Sequence, residues 1–152
     1  MIKIWLFIYF AVFIWSFLNP KDLFTWFLEV LPAIIALIVL AITYKNFRLT
    51  PLVYSLILIH CIILMVGGHY TYSEVPLFDF IKDILQQERN NYDKLGHLAQ
   101  GFIPAMIARE IIIRKSIITI ESWRNFFIIC FCLAFSAFYE LIEWWVAILS
   151  NE

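Results

Sequence analysis

Apolar residues in this chain come in long runs, not in the alternations or narrow stripes of a soluble fold. The runs fall at about 2–18, 23–43, 52–67, 95–113 and 125–149. Each is near the ~20 residues a helix needs to cross ~30 Å of hydrocarbon. Backbone N–H and C=O groups in lipid must bond within the chain, so the runs are predicted as helices and not strands. The first and third are short, and tilt or flanking aromatic residues must help them across. Asn19, Pro20, Lys21 and Asp22 predict a tight turn between the first two spans. The run Ile4 to Leu18 follows a single lysine, as a signal core does, but no small-x-small site follows it. It is therefore expected to be a span and not a cleaved leader.

The connection from Gly67 to Asp93 has a different rhythm. Leu77, Phe80, Ile81, Ile84 and Leu85 recur at helical spacing, with Asp79, Lys82, Asp83, Gln86 and Gln87 largely between them. Pro76 suits a first helical turn. The pattern predicts an amphipathic helix over about 76–87 lying in the membrane interface, either as a surface element closing the bundle or as a lid. The fold class expected is all-α: a polytopic membrane bundle of about five transmembrane helices plus this short interfacial helix, one membrane domain over 1–152. No internal repeat stands out.

Composition sharpens the picture. Of 152 residues, 63% are hydrophobic and only 15% charged; a soluble domain has roughly a quarter charged residues, so a water-facing surface cannot be covered. The net charge of −1 offers no basic field, which excludes a nucleic-acid partner. Cys61, Cys130 and Cys132 lie inside apolar runs at spacings of neither a redox pair nor a zinc knuckle, and read as small buried apolar side chains. With the N-terminus inside, Lys3, Lys45, Arg48, Arg109, Arg114, Lys115 and Arg124 fall on the inner side. Lys21, Lys82, Arg89 and Lys94 fall outside. The bias predicts a cytoplasmic N-terminus and, for five spans, an outer C-terminus.

Ionisable groups inside spans cost several kcal/mol unless they face protein or water, so each one is informative. Asp93, His97 and Gln100 stand at i, i+4 and i+7, on one helix face. An Asp and a His one turn apart can chelate a metal, or the carboxylate can orient the imidazole. Ser136, Glu140 and Glu143 repeat that spacing in the last span, beside Tyr139, Trp144 and Trp145. Two carboxylates on one face repel and need a cation, a shared proton or a basic partner. Glu29 lies ahead of Pro32 in the second span, and the third ends in Gly67, Gly68, His69 and, beyond, Glu74.

Depths agree. At 1.5 Å per residue His97 lies roughly 6 Å and Gln100 roughly 10 Å below the start of their span; Glu29 is roughly 10 Å deep, Glu143 and Glu140 roughly 9 and 14 Å. Alternating spans put these ends on one side of the membrane, so one shared polar pocket is expected. His69, Asp93, His97, Glu140 and Glu143 are its candidate metal ligands, for a divalent ion such as Zn, Mn or Fe. Glu140 and Glu143 are candidate catalytic groups, with Glu29, Glu74 and Gln100 as further polar lining. A proton-linked or organic-ligand site made of the same groups stays open, as does a hydrogen-bonded network that only fixes helix register. No HExxH, Glu-x-x-His di-iron pair or nucleophile elbow is present. His60, mid-span and half a turn from the face of His69, reads as a core histidine. Arg109 and Glu110 are explained by snorkelling or pairing.

Four stretches, Leu23 to Pro32, Gly68 to Pro76, Tyr92 to Phe102 and Tyr139 to Trp145, resemble the YjdF-like family of bacterial inner-membrane proteins. The resemblance covers nearly the whole chain and implies a multi-pass plasma-membrane protein without an established activity. It also implies an Asp-rich segment and a further span beyond the glutamate–tryptophan motif. This sequence ends at Asn151-Glu152, as a short form, a piece of a longer chain, or a protein completed by a partner helix would. Asp93-Lys94-x-x-His97 followed by a later glutamate is similar, more loosely, to VanZ-type membrane proteins, an analogy about envelope or lipid-linked roles. Together these readings predict an envelope membrane protein with an outward-facing polar, candidate metal-binding pocket. If it is an enzyme, hydrolysis or transfer on a lipid-linked or amphiphilic substrate is expected. The competing expectations are a carrier for a proton, cation or small amphiphile, and a structural subunit. Partners expected are the lipid bilayer, a lipid-linked ligand, and a second copy or another membrane protein.

Overall fold

The computed structural model describes residues 2–150. Their order is six helices without a strand among the described residues: α1 (Ile2–Phe17), α2 (Leu23–Thr43), α3 (Pro51–Tyr70), α4 (Pro76–Ile84), α5 (Tyr92–Arg114) and α6 (Glu121–Ser150). Every predicted element is present. α2, α3 and α6 are both long and apolar enough to cross a membrane, while α1 is apolar but only 16 residues long. α5, at 23 residues, has the length without the composition, because Asp93, Lys94, Arg109, Glu110 and Arg114 all lie on it. Among the described residues three to four helices are thus apolar and long enough to span a membrane by length and composition. Termini at residues 1 and 152, on which the expected orientation turns, lie outside the described residues.

The chain divides between Gly96 and His97 into two compact units. In the first, α3 packs on both α1 and α2. Without a hydrophobic force between helices in lipid, small residues and polar bonds hold them together. Gly68 lets α3 approach α2, since a Cβ there would stand 3.2 Å from both Glu29 Cβ and Val30 Cγ2. Buried donors are satisfied across the helices: Trp5 Nε1 donates to the Tyr54 carbonyl at 2.8 Å, Tyr9 Oη to the Ala33 carbonyl at 3.0 Å, and Trp26 Nε1 to Ser16 Oγ at 3.1 Å. An unmet polar group in hydrocarbon would cost several kcal/mol, so each bond also selects a helix register.

Loops follow the local chemistry. Asp22 caps α2, accepting from the Thr25 N–H at 2.6 Å, and that bond, followed by one to the Thr25 hydroxyl, holds its carboxyl below the usual carboxylate range. Pro51 and Pro76 open α3 and α4. α3 runs three residues past its apolar run, through Gly68, His69 and Tyr70, and stops where Thr71 and Tyr72 adopt φ of 55°. The Tyr72 ring then lies in the space a Cβ would need at Gly67 of α3 and at Gly96 of α5. α4 is shorter than predicted and ends where Gln86 turns left-handed. Its Leu77, Phe80 and Ile84 remain about two-thirds exposed, whereas Phe78 meets the Tyr92 ring edge-on at 5.0 Å.

The second unit is the rest of α5 with α6. Among large apolar side chains described on α6, Phe126, Phe131, Leu133, Phe138 and Trp144 are exposed and Ile128 is buried. That distribution is wrong for water and right for acyl chains.

Candidate functional site

Two groups of the predicted polar residues can be located, one in each unit. His69 ends α3, where its Nδ1 lies 3.0 Å from the Ser16 carbonyl oxygen in the last turn of α1. A carbonyl only accepts, so Nδ1 is the donor in this contact. The backbone carbonyl of His69 accepts from the Lys21 N–H at 3.2 Å. The residue therefore joins the end of α3 to the α1–α2 turn through both side chain and backbone. Trp15 and Tyr70 flank the ring, each at 4.6 Å between centroids. Lys21 also forms an ion pair with Glu74. Glu29 is half-buried beside Gly68. His60 and His69 share α3 nine residues apart, which at 100° per residue puts them on opposite faces, as expected.

Asp93 lies in the first turn of α5 and is held by Arg89, whose Nη2 donates to Oδ2 at 2.8 Å, and by the Lys94 N–H at 2.8 Å. The sequence offered His97 as the partner one turn ahead; the guanidinium one turn behind, always charged, takes the carboxylate instead. Asn90 organises the approach to α5. Buried, it donates to the Val75 carbonyl at 3.0 Å and to Asp79 Oδ1 at 3.1 Å, and accepts from the Tyr92 N–H at 3.1 Å. Tyr92 Oη in turn donates to the Ile63 carbonyl of α3 at 3.0 Å.

In the second unit His97 Nδ1 stands 3.4 Å from Glu140 Oε1. The antiparallel hairpin explains the meeting. His97 lies 17 residues before the end of α5 at Arg114, and Glu140 lies 19 residues past the start of α6 at Glu121, so the two are nearly level. Glu140 thus has a basic residue beside it, one of the three partners its spacing left open, with Glu143 and Ser136 each one turn away on its helix. Gln100, three residues beyond His97, is buried, and its Nε2 has no hydrogen-bond partner. A carboxylate beside Nδ1 of a histidine is an arrangement found in acid–base dyads and around metal-ligating histidines.

Among the described residues no three His, Cys, Asp or Glu side chains group closely enough to hold a metal ion. Toward the opposite end of α5, the carboxylate of Glu110 pairs with Arg114, Nη1 to Oε1 at 2.6 Å.

Sequence reasoning did not find Lys21, Arg89 and Asn90 as supports of the site. Arg89 had a signal, since it stands four residues ahead of Asp93; the contact of His69 with a carbonyl 53 residues away had none.

Residues 1–152 match the family described as Predicted membrane protein (DUF2238). The chain belongs to this family. It is also 46% identical over 141 residues to inner membrane protein YjdF of Escherichia coli (strain K12), an alignment covering 93% of this chain and 68% of that protein. The four stretches of resemblance are thereby accounted for, and the chain is a multi-pass protein of the bacterial inner membrane. No solved structure matches it.

Proposed function

We propose that this protein binds an amphiphilic or lipid-linked ligand at one face of the inner membrane and exchanges a proton with it through His97 and Glu140. The observation that carries the reading is the 3.4 Å approach of His97 Nδ1 to Glu140 Oε1 on two membrane helices. Glu140 orients the imidazole, so Nε2 can exchange a proton with a ligand or with a water beside it. Glu143, one turn along α6, is a second acceptor for that proton. Gln100 supplies a buried donor still lacking an acceptor, which a ligand carbonyl or phosphoryl oxygen would meet. The bias of Lys and Arg between loops favours the outer face for this end of the hairpin. Hydrolysis or group transfer is the reaction class such a dyad serves.

The half-occupied rings of His69 and His97 favour a second reading. Each has Nδ1 beside an oxygen, as a metal-ligating histidine usually has on the ring nitrogen that faces away from the metal. In the second unit a divalent ion such as Zn, Mn or Fe would draw on His97, Glu140 and Glu143.

Metal content of the purified protein and proton exchange on addition of a short-chain polyprenyl phosphate separate these readings. Proton uptake or release that disappears in Glu140→Gln and His97→Ala, in metal-free protein, supports the dyad. About one equivalent of metal, lost in His97→Ala, supports the ion site. Unchanged probe binding and proton exchange in both variants, with only stability lowered, would refute both and leave a network that fixes helix register.

A further inference from the structure

The α5–α6 hairpin carries a second polar cluster at its other end, which the proposed function does not use. Residues 109–124 hold Arg109, Arg114, Lys115 and Arg124 against two carboxylates, Glu110 and Glu121. The carboxylates do not neutralise them evenly. Glu110, with its side chain only 7% exposed, is taken by Arg114 at 2.6 Å. Glu121 is 79% exposed and stands 3.7 Å from Arg124 Nη2, a contact too long and too wet to hold much charge. Arg124 is itself mostly buried, at 16% exposure, and its Nε is a buried donor with no hydrogen-bond partner. A buried guanidinium donor left unmade costs free energy until an acceptor arrives.

Its surroundings say which acceptor. Ile117, Ile120, Trp123, Phe126 and Phe127, all largely exposed, surround the turn and the first two turns of α6. Isoleucines and phenylalanines face acyl chains, and a tryptophan marks the headgroup level. Counted from the paired ends of the hairpin, Arg109 lies five residues before Arg114 and Arg124 three after Glu121. The two cations therefore differ in depth by only about 3 Å. Cationic donors just inside a lipid-facing aromatic belt are what an anionic lipid headgroup needs.

We infer that this end of the hairpin is a binding site for an anionic phospholipid, whose phosphate accepts from Arg124 Nε and is balanced by Arg109 while its chains lie along Ile117, Trp123 and Phe127. The Arg124 fork supplies a directed bond, so the site should distinguish arginine from lysine. Lysine keeps the charge and loses the Nε donor.

The protein is extracted into mild detergent, supplied with equal amounts of phosphatidylglycerol and phosphatidylethanolamine of matched chains, and examined by native mass spectrometry. Wild type should retain phosphatidylglycerol about fivefold or more over phosphatidylethanolamine. Arg124→Gln should abolish the preference, Arg124→Lys should keep a smaller one, and Arg109→Gln should weaken it. Equal retention of the two lipids by the wild type overturns the inference even if the variants do not fold. Retention by folded Arg124→Gln as strong as wild type overturns it too. Inorganic phosphate at millimolar concentration should not displace the lipid; if it does, the site takes free anions and the lipid assignment falls.

Discussion

Substituting Gly67 by alanine tests the contact that ties the end of α3 to the start of α5. Gly67 is helical, and an alanine in a helix interior is ordinarily better than glycine by about 1 kcal/mol. Here the added methyl would meet the Tyr72 ring, with Cδ2 at 2.8 Å and two further ring atoms closer still. The ring has little room to retreat. A Cβ on Gly96 would be only 3.0 Å from its Cε1, and the Tyr92 ring stands 5.7 Å away between centroids. Overpacking of this kind costs about 1–3 kcal/mol, and a ring held on two sides belongs at the upper end. Net of the helical gain, Gly67→Ala should destabilise by about 1–2 kcal/mol. Gly101→Ala is the control, because nothing lies within 4 Å of its added Cβ. It should be neutral or stabilising by up to about 1 kcal/mol.

The assay is equilibrium unfolding in mixed micelles, titrated with sodium dodecyl sulfate and followed by tryptophan fluorescence. The two variants should differ by about 1–3 kcal/mol, roughly fivefold to over a hundredfold in unfolding constant. The double variant Gly67→Ala/Tyr72→Ala should lose less than the sum of its parts, since the second change removes the obstacle to the first. Equal stability of Gly67→Ala and Gly101→Ala, or strict additivity in the double variant, would refute the role assigned to Tyr72.

Two further expectations concern α4. Asn90→Ala removes three hydrogen bonds, two of them buried, and strands the Tyr92 N–H, so it should cost about 2 kcal/mol and raise hydrogen exchange over residues 75–84; unchanged exchange there would show that α4 is held some other way. With Cys61, Cys130 and Cys132 replaced by alanine, a cysteine at Asp83 should label with a water-soluble maleimide in membranes, while one at Leu77 should label only after detergent extraction. Equal labelling of both in membranes would lift α4 out of the interface.

Much of this protein was legible along the chain because helices in lipid depend on local quantities. Run length located all the long helices, Pro76 and the period of Leu77, Phe80 and Ile84 located α4, and the Asn19–Asp22 turn followed from its residues. Glu140 and Glu143 called for a cation, a shared proton or a basic partner through simple repulsion, and His97 stands 3.4 Å from Glu140. Choice between partners was another matter. Asp93 had a histidine one turn ahead and an arginine one turn behind, and only the folded chain decided for Arg89. Tyr72 between Gly67 and Gly96, and His69 on the carbonyl of Ser16, join residues from separate helices. Periodicity is a property of neighbours in sequence, whereas these contacts depend on how closely helix surfaces approach, which a string of residue types leaves undetermined.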